Sequence, residues 1–168
     1  MKLVLYMAMT VNGYIAKEND ETPWSAAIWK SYYSLARKFK AIIIGRRTYQ
    51  IMAAANEFSK IGSPFIVVLT SKPGHSTRNL VFVKTNKDAV KLLENKGFTD
   101  ALIGGGGKLN ASFISEGLIS EICLDIEPAI FGTGIKLFSD GHFEAKLRLL
   151  KVSKLSGGSI QLCYKVIN

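Results

Sequence analysis

Three short segments carry residues suited to holding phosphates. Gly45-Arg46-Arg47-Thr48 directly follows the apolar run Ile42-Ile43-Ile44. Glycine permits a sharp turn, the N–H groups that open a helix attract an anion, and two guanidinium forks and a hydroxyl add donors. The plain alternative is a pair of exposed arginines, but a helix dipole disfavours positive charge at that end, so the functional reading is preferred. Thr70-Ser71-Lys72 follows the apolar run 65–69 and offers two hydroxyls and an ammonium, although Ser and Lys are also ordinary turn residues. Gly104-Gly105-Gly106-Gly107-Lys108 separates a strand-like run from a helix-like one. It is not a P-loop, because Leu102 stands where the first glycine belongs and Leu109 replaces the Ser or Thr after Lys108. The G-x-G-x-x-G spacing also fails. What remains is bare backbone able to approach a diphosphate, and a simple tight turn rarely needs four glycines. Together the segments describe a site for a molecule with several phosphates, one of them a 2′-phosphate. NADPH meets that description.

Such turns need a scaffold that brings strand ends together. Residues 2–9 read as a buried strand and 10–24 as a polar loop. Helical spacing runs from Ser25, a plausible N-cap, to about Lys40, and again from about Thr48 to Asn56. Short apolar strands are expected at 41–44, 65–69, 80–83 and 101–103, with helices over 86–95 and about 109–116. Strands over 120–130, 145–155 and 159–167 close the chain, the last two joined at Gly157-Gly158. The order predicts one α/β domain with a mostly parallel central sheet, flanking helices and a C-terminal antiparallel hairpin. Ligands bind such sheets at the carboxyl ends of the strands.

The composition narrows the partners. Apolar residues make up 48% of the chain, which excludes disorder. Two cysteines and two histidines show no metal-ligand spacing, so no metal is expected, and Cys123 and Cys163 read as small core or near-core residues. No apolar run is long enough to span a membrane. The apolar start runs into Thr10-Val11-Asn12-Gly13 without a small-residue cleavage site, and is read as the first strand of a cytoplasmic protein. Lys and Arg outnumber Asp and Glu by 22 to 13, a net +9 that points to an anionic partner. The basic residues are scattered and no nucleic-acid-binding signature is visible, so a small phosphorylated ligand ranks above nucleic acid.

The series Ala8…Asn12-Gly13-Tyr14-Ile15-Ala16…Pro23-Trp24, Ile44-Gly45-Arg46-Arg47-Thr48, Leu69-Thr70-Ser71 and Ile103-Gly104-Gly105-Gly106 resembles dihydrofolate reductase over the whole chain. The stretch 104–113, with Gly117-Leu118, Glu121, Pro128, Gly132, Gly134, Leu137 and Phe138, is closer to the reductase domain of riboflavin biosynthesis, which shares that fold. The resemblance implies that the backbones of Ala8 and Ile15 hold the nicotinamide carboxamide, with Trp24 beside the ring at the edge of a mobile loop. Arg46, Thr70 and Ser71, with Lys72 alongside, would meet the 2′-phosphate. Gly45, Arg47 and Thr48 would meet the diphosphate. Gly104, Gly105, Gly106 and Gly107, followed by Lys108 and Leu109, would line it from the other side, with one Gly–Gly peptide cis. A substrate would lie near Asn12, Trp29, Tyr33 and Met52.

The implied activity is NADPH-dependent hydride transfer to a C=N or C=O carbon of a small molecule, as in 5-amino-6-(5-phosphoribosylamino)uracil reductase. Homodimers are common in that group. Two departures bear on the substrate. No carboxylate occurs from Thr22 to Asn56, where dihydrofolate reductases carry their pterin-binding acid. Gly104 and Met52-Ala53-Ala54-Ala55 stand where riboflavin reductases commonly carry acids. Dihydrofolate reductase and a non-catalytic NADP-binding module stay as alternatives. Asp125 is the one candidate catalytic acid, since period two puts Cys123, Asp125 and Glu127 on one face. The plainer and favoured reading of that face is the exposed side of an edge strand.

Overall fold

The structure is a computed structural model and describes residues 1–72 and 74–167. Pro73, which follows Thr70-Ser71-Lys72 and would extend that turn, lies outside the described residues. The elements run β1 (Lys2–Thr10), β2 (Tyr14–Ala16), α1 (Ala26–Ala36), β3 (Ala41–Gly45), α2 (Arg46–Ala54), α3 (Glu57–Lys60), β4 (Phe65–Leu69), β5 (Leu80–Val83), α4 (Asn86–Asn95), β6 (Asp100–Ile103), α5 (Gly107–Ser115), β7 (Glu121–Glu127), β8 (Ile135–Lys136), β9 (Lys146–Lys154) and β10 (Ile160–Ile167). Ser156–Gly158 forms a 3-10 turn between the last two strands.

Eight strands form one sheet in the order β5-β4-β3-β6-β1-β7-β10-β9. The strands from β5 through β7 are mutually parallel, and β10 and β9 add antiparallel pairs. The predicted sheet and hairpin are therefore present. Alternation along each strand feeds two cores. Leu3, Leu5, Ile43, Val67 and Ile103 pack under α4 and α5, with Leu93 and Phe113. Val4, Tyr6, Ile42, Ile44, Val68 and Leu102 face the other side, with Ala36 of α1 and Met52 of α2. Strands buried on both faces are apolar at consecutive positions, which is why 41–44 and 65–69 were legible as uninterrupted runs.

Several expectations need correction. The loop 10–24 contains β2, which pairs with β8 across a gap too long for any local pattern to reveal. The second helix begins at Arg46 rather than near Thr48, so both arginines stand in its first turn. β7 is an interior strand between β1 and β10, so its Asp125 face is no exposed edge. Cys123 is buried as expected, but it is bonded to Cys163 directly opposite on β10, with Cα atoms 4.1 Å apart. No helix among the described residues is long and apolar enough to cross a membrane.

Candidate active site

The parallel strands end together, and their last residues open a cavity of about 980 Å³. Met7 and Ala8 come from β1, Gly45 from β3 and Leu69 from β4, and Gly104 directly follows β6. The turns after β3 and β6 touch: Gly45 N–H donates to Gly105 O at 2.9 Å, and Gly104 N–H donates to Ile43 O at 3.0 Å. A Cβ on Gly106 would lie 3.8 Å from Thr48 Oγ1. The Gly105–Gly106 peptide is cis, as the resemblance implied. Gly105 has φ +84°, a conformation that calls for glycine, and a Cβ there would come within 2.9 Å of the flexible Met7 Sδ.

Two helices begin at this junction. The N-caps of α2 and α5 are Gly45 and Gly106, and neither has a side chain to cap the first turn. First-turn N–H groups of both helices therefore remain outside the helical ladder at the cavity wall, with the positive ends of two dipoles beside them. Arg46, Arg47, Thr48, Gly107, Lys108 and Leu109 all line it. Arg47 is held by Asp20 from the loop before α1: its Nε donates to Oδ2 at 2.6 Å and its Nη2 pairs with the same oxygen. Asp20 also lines the cavity, so a carboxylate sits where the α2 arginine would otherwise face an anion.

The other sequence-derived residues distribute unevenly. Ile15, Trp24, Trp29 and Met52 line the cavity, and Trp24 stacks on Phe131 with ring centroids 6.1 Å apart. Asn12 does not line it; its Nδ2 donates to Phe131 O at 2.7 Å, and its Oδ1 accepts from Phe131 N–H, so it staples two loops beside the cavity. Thr70, Ser71 and Lys72 continue from Leu69 but lie outside the lining, and Thr70 Oγ1 accepts from the Lys72 N–H at 3.1 Å. Tyr33 is one step removed, its hydroxyl donating to Glu57 Oε2 at 3.0 Å.

Asp125 is fully buried and does not touch the cavity. It accepts from the Tyr6 hydroxyl at 2.6 Å and from Gln161 Nε2 at 2.8 Å, while Gln161 also donates to Ser31 Oγ. Tyr6 does line the cavity, and burial, followed by the adjacent Asp125 carboxylate, pushes its phenol far above the usual range. Glu127, on the same face, accepts from Ser25 Oγ at 2.8 Å, so Ser25 anchors the start of α1 to the sheet instead of capping its own helix by side chain.

Sequence reasoning missed Asp20 and Glu57. Glu57 opens α3 immediately after the carboxylate-free stretch and lines the cavity. Asn56 adopts a left-handed conformation (φ 52°) that turns the chain before it, and Asn at the end of a helical run was the available signal.

Residues 1–160 match the RibD C-terminal domain. The chain is 29% identical to the uncharacterized protein YwjB of Bacillus subtilis (strain 168) over 170 residues, 97% of each chain. Among solved structures, a protein of Shewanella sp. PV-4 assigned to riboflavin biosynthesis superposes with a TM-score of 0.84 at 21% identity, covering all of both chains. A dihydrofolate reductase of Enterococcus faecalis, complexed with NADP(H), superposes with a TM-score of 0.75 at 16% identity, covering 99% of this chain and 97% of that one. The two superpositions bear out the dihydrofolate-reductase-like fold, and the match over residues 1–160 places the chain in the RibD C-terminal domain family.

Proposed function

We propose that the chain is an oxidoreductase that binds NADPH across the Gly45 and Gly104–Gly107 turns and reduces a C=N or C=O carbon of a small molecule. The observation that carries this is the pairing of two uncapped, glycine-started helix N-termini on one cavity wall, with Arg46, Arg47 and Lys108 beside them. That wall suits a diphosphate, because unsatisfied N–H groups, two dipoles and the cations Arg46 and Lys108 converge there, with Arg47 shared with Asp20. The RibD C-terminal family and a neighbour complexed with NADP(H) support the same coenzyme.

When bound, the coenzyme would supply a hydride; the chain's part is orientation and exclusion of water. Ala8 and Ile15 would seat the nicotinamide at the ends of β1 and β2. Arg46 would face the 2′-phosphate. Trp24, braced by Phe131, would cover the reacting face from the loop side. Fluorescence titration tests the reading: Trp24 and Trp29 report on the cavity, so NADPH should change emission saturably and NADH should bind more weakly. Absence of any response, backed by calorimetry showing no heat of binding, would end it.

A further inference from the structure

Resting on that reductase reading, we propose that the acceptor end of the cavity takes a flat, positively charged nitrogen compound without phosphate, and that Glu57 selects it. The lining basic residues among those described are Arg46, Arg47 and Lys108, all in the first turns of α2 and α5. From Arg46 to Ala55 the axis of α2 advances about 13 Å. Around Ala55 the wall changes character: Trp29, Tyr32, Ile51 and Met52 present apolar and aromatic surface, and Glu57 adds a carboxylate. A phosphate placed there would lose its water and face a carboxylate whose neighbouring ammonium, Lys60, is already paired with it and lies outside the cavity wall.

A planar cation finds the reverse. Tyr32 and Trp29 meet edge to face with centroids 6.1 Å apart, and a cation over either ring is attracted by its quadrupole. The Glu57 side chain is 14% exposed and takes one donor on each oxygen, Tyr33 Oη at 3.0 Å and Lys60 Nζ at 2.6 Å. A carboxylate accepts about four hydrogen bonds, so acceptor sites remain for a ligand. Lys60 is itself 46% exposed, so its pair with Glu57 is solvent-screened and worth little, and a ligand cation can compete for the carboxylate. For a reductase the matching substrate is an iminium. Hydride adds to the carbon of C=N⁺, the π pair becomes the nitrogen lone pair, and a neutral amine results, with oxidised coenzyme as the other product. No proton has to be delivered, which agrees with Asp125 lying behind Tyr6 and off the cavity.

Calorimetric titration of the full chain with 2-methylisoquinolinium and with neutral isoquinoline, at mildly alkaline pH, tests the site without turnover. The cation should bind at least about tenfold more tightly than its neutral counterpart, and Glu57→Gln should remove that preference while NADPH affinity stays unchanged. Turnover should follow the same order, with 2-methyl-3,4-dihydroisoquinolinium reduced in preference to 1-tetralone. Equal binding of the two isoquinolines, or tighter binding of ribose 5-phosphate, overturns the proposal on the wild-type protein alone. A cation preference without NADPH binding would refute the reductase reading and leave this site standing. NADPH binding without the preference would refute only the site.

Discussion

The Tyr6 hydroxyl donates to Asp125 across 2.6 Å, joining a residue of the cavity wall to a carboxylate that solvent does not reach. Its other donor is the amide of Gln161. The pair ties β1 to its neighbour β7 inside the sheet. Tyr6→Phe leaves Asp125 with one donor fewer in a buried setting, and should destabilise the protein by about 1–3 kcal/mol in chemical denaturation. Loss of less than a few tenths would show that Asp125 is rehydrated or re-partnered.

The same pair sets an alkaline limit. Burial raises the phenols of Tyr6 and Tyr32 above their ordinary value, with the Asp125 carboxylate adding to the effect on Tyr6 and Glu57 on Tyr32. A raised folded-state pKa keeps the proton on in the native protein while the unfolded chain releases it near pH 10. Stability from these groups is therefore intact below about pH 10 and falls as the pH climbs above it. Ultraviolet titration should show Tyr6 and Tyr32 ionising only as the fold is lost. Ionisation of all six tyrosines at ordinary pH with the fold retained would contradict the packing.

Asp20 holds Arg47 at the start of α2. On the proposed reading, an incoming diphosphate shares that arginine with a carboxylate of its own sign. Asp20→Asn should tighten NADPH binding by about 3- to 10-fold and steepen its salt dependence, since Coulomb repulsion at a partly screened site is worth on the order of 1 kcal/mol. Weaker binding would mean that Asp20 orders Arg47 for the ligand rather than competing with it.

On the proposed reading, Arg46 carries the coenzyme preference. Arg46→Ala should weaken NADPH by about tenfold or more while changing NADH little, because a charge-assisted contact to one phosphate is worth about 1.5–3 kcal/mol. An equal loss for both coenzymes would move Arg46 to the diphosphate.

The glycines separate by cause. Gly105→Ala should cost about 1–2 kcal/mol from its left-handed backbone, since the nearby Met7 side chain can shift. Gly107→Ala should cost more, because its Cβ would run into the backbone carbonyl of Lys136, which cannot. Denaturant midpoints of the two variants check the order.

The sequence alone determined the parallel sheet, the closing hairpin, and the run of turns at the strand ends. Each rests on local signals: uninterrupted apolar strands buried on both faces, and glycine where the chain must reverse. The motif series around Gly45 and Gly104 also announced the fold family. Only the tertiary structure decided the rest. It started α2 at Arg46 and set Asp20, distant in sequence, against Arg47 in its first turn. It paired β2 with β8 and Cys123 with Cys163, contacts that no periodicity encodes. It placed Asp125 inside the sheet instead of on an edge, and swung Glu57 into the cavity through one left-handed residue. Propensity and pattern act over a few neighbours, whereas the position of a charge beside a ligand depends on which distant segments pack together.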